Sequence, residues 1–231
     1  LSPSEAGLLP LPVPGDLSGL YWHWDTSFTL GIDGMMQATI DHETLMFWPD
    51  GQFYDGTPPT GTAPLDRAAL MAAGDTRFGN YAERAGQLHL TYASGETALL
   101  RYDRATGGWT NDDEDDWLPV TPLADGTRLS GDISSFYFSG FAGGMEGGIS
   151  GGSSTTFHPD GTYDGDSFGG AFGSFDTGGG FATSSEGATG GTYEVRDGLL
   201  VMYPTGGPPT YELAFDTGDG ILIGEEYLGT E

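Results

Sequence analysis

The residues Phe47-Trp48-Pro49-Asp50-Gly51-Gln52-Phe53 return as Phe157-His158-Pro159-Asp160-Gly161-Thr162-Tyr163 about 110 residues later. Pro fixes φ and Gly accepts a positive φ, so each Pro-Asp-Gly presets a tight turn, and an aromatic on either side makes it a hairpin between two strands. Other positions repeat in the same order: Leu17-Ser18-Gly19 with Leu129-Ser130-Gly131, Tyr81 with Tyr193, and Gly86-Gln87-Leu88 with Gly198-Leu199-Leu200. The chain reads as a duplication. At 231 residues it is long enough for two halves that each bury a core. The expected fold class is all-β, with antiparallel meanders forming two related barrel-like or sandwich halves at residues 17–123 and 124–231.

Periodicity supports that class. Residues 20–28 alternate, with Leu20, Trp22, Trp24 and Phe28 on one face and Tyr21, His23, Asp25 and Ser27 on the other. Residues 44–48 are apolar on both faces, through Leu45 and Phe47 against Met46 and Trp48, so both sides of that strand should be covered. Further strands are expected at 80–83, 87–92 and 97–102, separated by Gly-containing turns. One short helix is predicted near 64–73, where Pro64 precedes Ala- and Leu-rich residues and Gly74 follows. Prolines spaced through residues 1–16 favour an extended N-terminal arm. The second half is the glycine-rich one, which points to tight bends, long loops or close strand packing.

Charge narrows the partners. The chain carries 34 acidic and 7 basic residues, a formal net charge of −27, and all its basic residues are Arg. Such a polyanion repels phosphate backbones and anionic lipid surfaces, so nucleic acid is not an expected partner. No apolar run reaches transmembrane length, so no membrane span is expected. The absence of Cys removes disulfides, thiolate metal sites and cysteine nucleophiles. The sequence opens on Leu1, which fits a precursor that lost a signal peptide and a secreted, periplasmic or cell-surface protein.

Three groups of residues carry candidate chemistry. Tyr21, His23 and Asp25 place a phenol, an imidazole and a carboxylate on one face of one strand, a set able to do acid–base work in a barrel interior. Alternation alone sends this face to solvent and the face of Trp22 and Trp24 to the core. Trp22, Trp24, Trp48, Phe136 and Phe138 can line an apolar site or build a core. Asp112, Asp113, Asp115 and Asp116, together with Asp160, Asp164 and Asp166, supply the hard oxygen ligands that calcium prefers, or form solvated acidic loops. His42, His89 and His158 have no short metal-binding spacing.

The order Leu-Ser-Gly, aromatic-x-Pro-Asp-Gly-x-aromatic, Asn80-Tyr81 or Gly-x-Tyr193, then Gly-x-Leu-x-apolar resembles secreted bacterial lipocalin-like, calycin-type barrel domains, here as a tandem repeat. The chain departs from true lipocalins at their Gly-x-Trp signature, where Gly19-Leu20-Tyr21 has Tyr and Gly131-Asp132-Ile133 has Ile. The resemblance implies an up-and-down barrel whose mouth or groove takes a small apolar molecule, and it implies no catalytic residues. The leading expectation is a secreted, non-catalytic binding protein for a small apolar or amphipathic ligand. A self-assembling surface protein that uses the arm and strand edges is the second. The third is a barrel enzyme of cyclase or isomerase type, with His23 as acid or base, Asp25 orienting it and Tyr21 donating to an oxygen.

Overall fold

The computed structural model describes residues 17–30, 36–140, 145–175 and 179–229, with their side chains except at 29–39, 136–151 and 168–186. The Pro-rich arm, residues 1–16, lies outside the described residues. The protein is all-β, an eight-stranded antiparallel barrel with an appended strand meander. The barrel comprises β1 (Gly19–Leu30), β2 (Met36–Trp48), β3 (Gln52–Asp55), β4 (Phe78–Arg84), β5 (Gln87–Tyr92), β6 (Thr97–Tyr102), β7 (Trp109–Thr110) and β8 (Asp116–Pro122). Each strand pairs with the next, and β8 returns to β1 through Leu20↔Val120, Tyr21↔Pro119 and Trp22↔Leu118.

The meander comprises β9 (Gly131–Gly140), β10 (Met145–Phe157), β11 (Thr162–Phe175), β12 (Gly179–Arg196), β13 (Leu199–Pro204), β14 (Thr210–Asp216), β15 (Ile221–Ile223) and β16 (Glu226–Tyr227). It joins the barrel where β14 pairs with β8, at Phe215↔Pro122 and Asp216↔Thr121. A bridge between Asp132 and Gly229 brings the end of the meander back to β9. The single described helix, α1 (Arg67–Ala73), starts three residues later than Pro64. Asp66 accepts from the Ala69 N–H as N-cap, and Gly74 ends the helix at φ 73°.

Strand alternation builds three cores. Tyr21, Leu45, Phe47, Phe53, Tyr81, Leu88, Leu90, Leu100, Trp109 and Trp117 point into the barrel and fill it. The opposite faces of β1 and β2, with Leu20, Trp22, Met46 and Trp48, pack outward against Leu199, Val201, Leu213, Phe215 and Leu222 of the meander. Leu129, Phe157, Tyr163, Tyr193, Val195 and Leu200 form a core within the meander. Tyr21 and His23, which alternation alone would send to solvent, are each only 9% exposed. The physical reason is closure: the wall of a barrel flanked by a second sheet has two covered faces, so polar residues on the inner one are buried.

The hairpin turns follow the sequence. The Gly51 N–H donates to the Trp48 carbonyl at 3.0 Å and the Gly161 N–H to the His158 carbonyl at 3.0 Å. Both glycines hold positive φ, 85° and 90°, where a Cβ would be strained. A tyrosine then ties each hairpin to its first strand. The Tyr81 hydroxyl sits between the carbonyls of Leu17 (2.6 Å) and Trp48 (2.8 Å) and donates to them. The Tyr193 hydroxyl sits between those of Leu129 (3.0 Å) and His158 (2.9 Å). Burial, followed by the charges of Asp50 and Glu83, pushes the Tyr81 phenol up to about 12, so it stays a donor at any physiological pH. Tyr81→Phe and Tyr193→Phe each leave buried carbonyls without this donor. Each should cost roughly 1–3 kcal/mol in chemical denaturation; a loss below a few tenths would show that these ties do not hold the hairpins.

Candidate functional site

The barrel does not end flush. β8 pairs with β1 only as far as Trp22, and β3 pairs with β2 only from Leu45 to Trp48, while β1 and β2 stay paired to each other out to Leu30↔Met36. The two strands therefore run on past the barrel wall as a ribbon. Its outer face continues the row that starts in the core with Leu20, Met46 and Trp48, then passes Trp22 and His42, Trp24, Ile40 and Phe28. Along this row exposure rises from 6% at Trp22 to 43% at Trp24, 53% at Ile40 and 63% at Phe28. Isolated exposed apolar residues are ordinary, but a cluster of large exposed apolar side chains on one face is a recognised mark of a binding surface.

The row is built as a platform. Trp24 stacks on Trp22 at 4.5 Å between ring centroids, and Trp22 stacks on His42 at 5.6 Å. Trp22 is in turn anchored against Phe215 at 6.1 Å, so the platform stands on the core between barrel and meander. The Tyr227 ring of β16, 46% exposed, meets His42 edge-on at 6.3 Å. The Trp22 indole N–H donates to His42 Nδ1 at 3.1 Å, which places the imidazole proton on Nε2 and requires a neutral ring. Glu225, in the turn between β15 and β16, lies close enough for its charge to act on His42, as does Asp41. Burial nonetheless holds the His42 pKa below the ordinary imidazole range, against the upward pull of those two carboxylates.

The Tyr21, His23 and Asp25 set is placed differently from the geometry of an acid–base triad. Tyr21 lies deep in the barrel, edge-on to Phe47 at 5.6 Å, and burial raises its pKa. His23 sits at the barrel mouth beside Trp117, its Nδ1 donating to the Asp116 carbonyl at 3.1 Å and its Nε2 3.9 Å from Asp115. Asp25 is exposed, and no hydrogen bond joins the three residues to one another. Around His23, the Glu43 carboxyl is raised by burial and by Asp55, and Asp55 is raised by burial while accepting from the Tyr92 hydroxyl at 2.9 Å.

The remaining predicted residues are dispersed. Trp48 is 7% exposed, packs in the core and donates to the Thr62 carbonyl at 3.0 Å. Phe136 and Phe138 belong to β9, and their side chains lie outside the described residues. Asp112 pairs with Arg101, Asp115 accepts from the Asn111 amide at 2.7 Å, and Asp116 accepts from the Thr110 hydroxyl at 2.8 Å. The Asp113 N–H donates to Asn111 Oδ1 at 2.9 Å, leaving its carboxylate exposed in the loop. Asp160 caps its turn by accepting from Thr162, Asp164 meets His158 at 3.0 Å, and Asp166 is exposed on β11. Among the described residues no group of three or more His, Asp or Glu is arranged to hold a metal ion. Nor is any helix there long and apolar enough to cross a membrane.

Sequence reasoning placed Trp22 and Trp24 on one face but missed His42, Tyr227 and Glu225 as their neighbours. The Trp24↔His42 pairing depends on strand register, and Tyr227 arrives from the far end of the chain. Comparisons with protein-family models, with curated proteins and with solved structures found no match.

The depressed His42 pKa makes the platform sensitive to acid. In the unfolded chain His42 takes a proton near its ordinary pKa of about 6.5, whereas in the folded protein it resists until lower pH. The unfolded state therefore binds more protons in that window, and stability linked to His42 is present above it and lost as the pH falls through it. Melting temperatures of the wild type and His42→Gln, measured from pH 8 down to about pH 5, should diverge at high pH and converge at low pH; parallel curves would assign no such role to His42.

Proposed function

We propose that this protein is a non-catalytic binding protein that takes a small amphipathic molecule on the outer aromatic face of the β1–β2 ribbon. One observation carries the reading: Trp24 is 43% exposed yet held in stacking contact with a Trp22 that is itself anchored in the core. A rigid aromatic ring offered to solvent provides contact area without an ordering cost on binding. The barrel interior supports the same placement, because Phe47, Phe53, Leu88, Leu90 and Trp109, all 2% exposed or less, occupy the space that an internal ligand would need. Against an acid–base enzyme stands the exposed Asp25, which does not orient His23.

We further infer that the two halves are a tandem duplication of a lipocalin-like barrel unit. Tyr81 and Tyr193, Gly51 and Gly161, and the Ala85-Gly86 and Asp197-Gly198 turns, each with positive φ at both residues, support the same plan in each half. A secreted or cell-surface location belongs to this proposal. The ligand in this reading has moved from the mouth of the barrel to its outer wall.

A second reading, self-assembly, is favoured by the ribbon edges. Among the described residues β1 beyond Trp22 and β2 before Leu45 each pair on one side only, which leaves backbone groups open to another strand. Titration of tryptophan fluorescence with amphiphiles, alongside light scattering over a range of protein concentrations, separates the two. The binding reading expects a saturable shift at constant mass. Trp24→Ala should abolish that shift for about 1 kcal/mol or less of stability, while Trp48→Phe should leave ligand affinity unchanged. A mass that grows with concentration and reverts in Trp24→Ala would transfer the same face to self-assembly. No response to any amphiphile at constant mass would overturn the binding reading.

A further inference from the structure

We infer that the head group recognised at the Trp22, Trp24, His42 and Tyr227 end of the platform is an organic cation, of quaternary ammonium or guanidinium type. The inference rests on the outer-face binding reading and specifies its ligand. Three observations carry it.

The first is the aromatic arrangement. Trp24 stacked on Trp22, with Tyr227 standing edge-on to the neighbouring His42, offers electron-rich faces around one exposed point. The face of an aromatic ring attracts a cation, Trp most strongly, and weakly hydrated organic cations lose the least on leaving water. An anion at the same place would meet the negative faces of the rings.

The second is the charge beside it. Glu225 stands two residues before Tyr227 in the β15–β16 hairpin and its charge acts on His42, whereas Glu226 and Glu212 pair with Ile223 and Leu200 and so lie on the other face of the sheet. The ion pairs formed by Arg77, Arg101 and Arg196 engage other carboxylates. Burial, and then the charge of Glu225, raises both Glu212 and Glu226 above the ordinary carboxylate range. A cation on the platform would meet the Glu225 carboxylate beside Tyr227 and His42.

The third is the direction of the apolar row. From Trp24 it runs outward past Ile40 to Phe28, four residues along β1, or about 13 Å at the usual strand rise. The charged corner lies at the core end of this row and the exposed apolar residues at the other. An amphiphile with a cationic head and a hydrocarbon tail matches both ends, whereas a bare metal ion would leave the row uncovered.

Three probes with the same decyl chain test the idea below their micellar concentrations at pH 8: decyltrimethylammonium, decyldimethylamine oxide, which is uncharged overall there, and decyl sulfate. Calorimetry and tryptophan fluorescence should give the cation an affinity roughly tenfold above the amine oxide, with the sulfate weakest. Trp24→Ala should cost the cation about tenfold with the charge of the protein unchanged. Glu225→Gln should narrow the gap between cation and amine oxide with the rings unchanged. If the amine oxide binds wild type as tightly as the cation, and Trp24→Ala weakens both, the outer-face reading stands and the cationic head group is wrong. If the cation binds Trp24→Ala as well as wild type, it is attracted only by net charge and the inference fails. If none of the three binds, the outer-face reading fails with it.

Discussion

The structure depends on one shared wall. Over Leu20 to Trp22 in β1 and Leu45 to Trp48 in β2 neither face meets solvent, because one face closes the barrel interior and the other is the floor of the core between barrel and meander. Removing either covering would expose a row of Leu, Met, Phe and Trp side chains, each worth roughly 1.5–3 kcal/mol when buried. The wall therefore couples the halves of the chain. The apolar contact of this wall lies in the interior, where it acts against the self-repulsion of a chain with a net charge of −27.

The candidate site is where this wall outgrows its coverings. β1 and β2 continue as a ribbon after β8 and β3 have stopped pairing, and the face that packs against Phe215 at Trp22 is 43% exposed at Trp24. The stacking of Trp24 on Trp22 and the hydrogen bond from Trp22 to His42 transmit the order of the core outward by two residues. A surface ordered in this way can recognise a ligand without first being organised by it. His42 is the weak member of the arrangement. It must be neutral to accept from Trp22, and it holds that state by partial burial although Glu225 and Asp41 act to charge it.

The strands were legible in the sequence because the signals that set them are local. Pro-Asp-Gly specified its turns, and Gln87–Tyr92 and Thr97–Tyr102 fall where alternation put them. The helix was legible to within its first turn: it was expected near 64–73 and runs from Arg67 to Ala73 with Asp66 as its N-cap. The burial of Tyr21 and His23 was not legible. Alternation says which residues share a face, and only the partners of a strand say whether that face is wet.

By itself the sequence determined an all-β chain with two copies of one turn, a two-faced apolar strand at Leu45 to Trp48 and a surface dominated by carboxylates. These follow from backbone φ preferences, the two-residue period of a strand and the count of charges, none of which needs a second segment of chain. The tertiary structure decided which face of β1 became interior, that the interior was filled, and that Trp24 met His42 while Tyr227 and Glu225 arrived from the end of the chain. Those outcomes depend on register and closure, which are set by the pairing of strands far apart in sequence and leave no trace in any one of them.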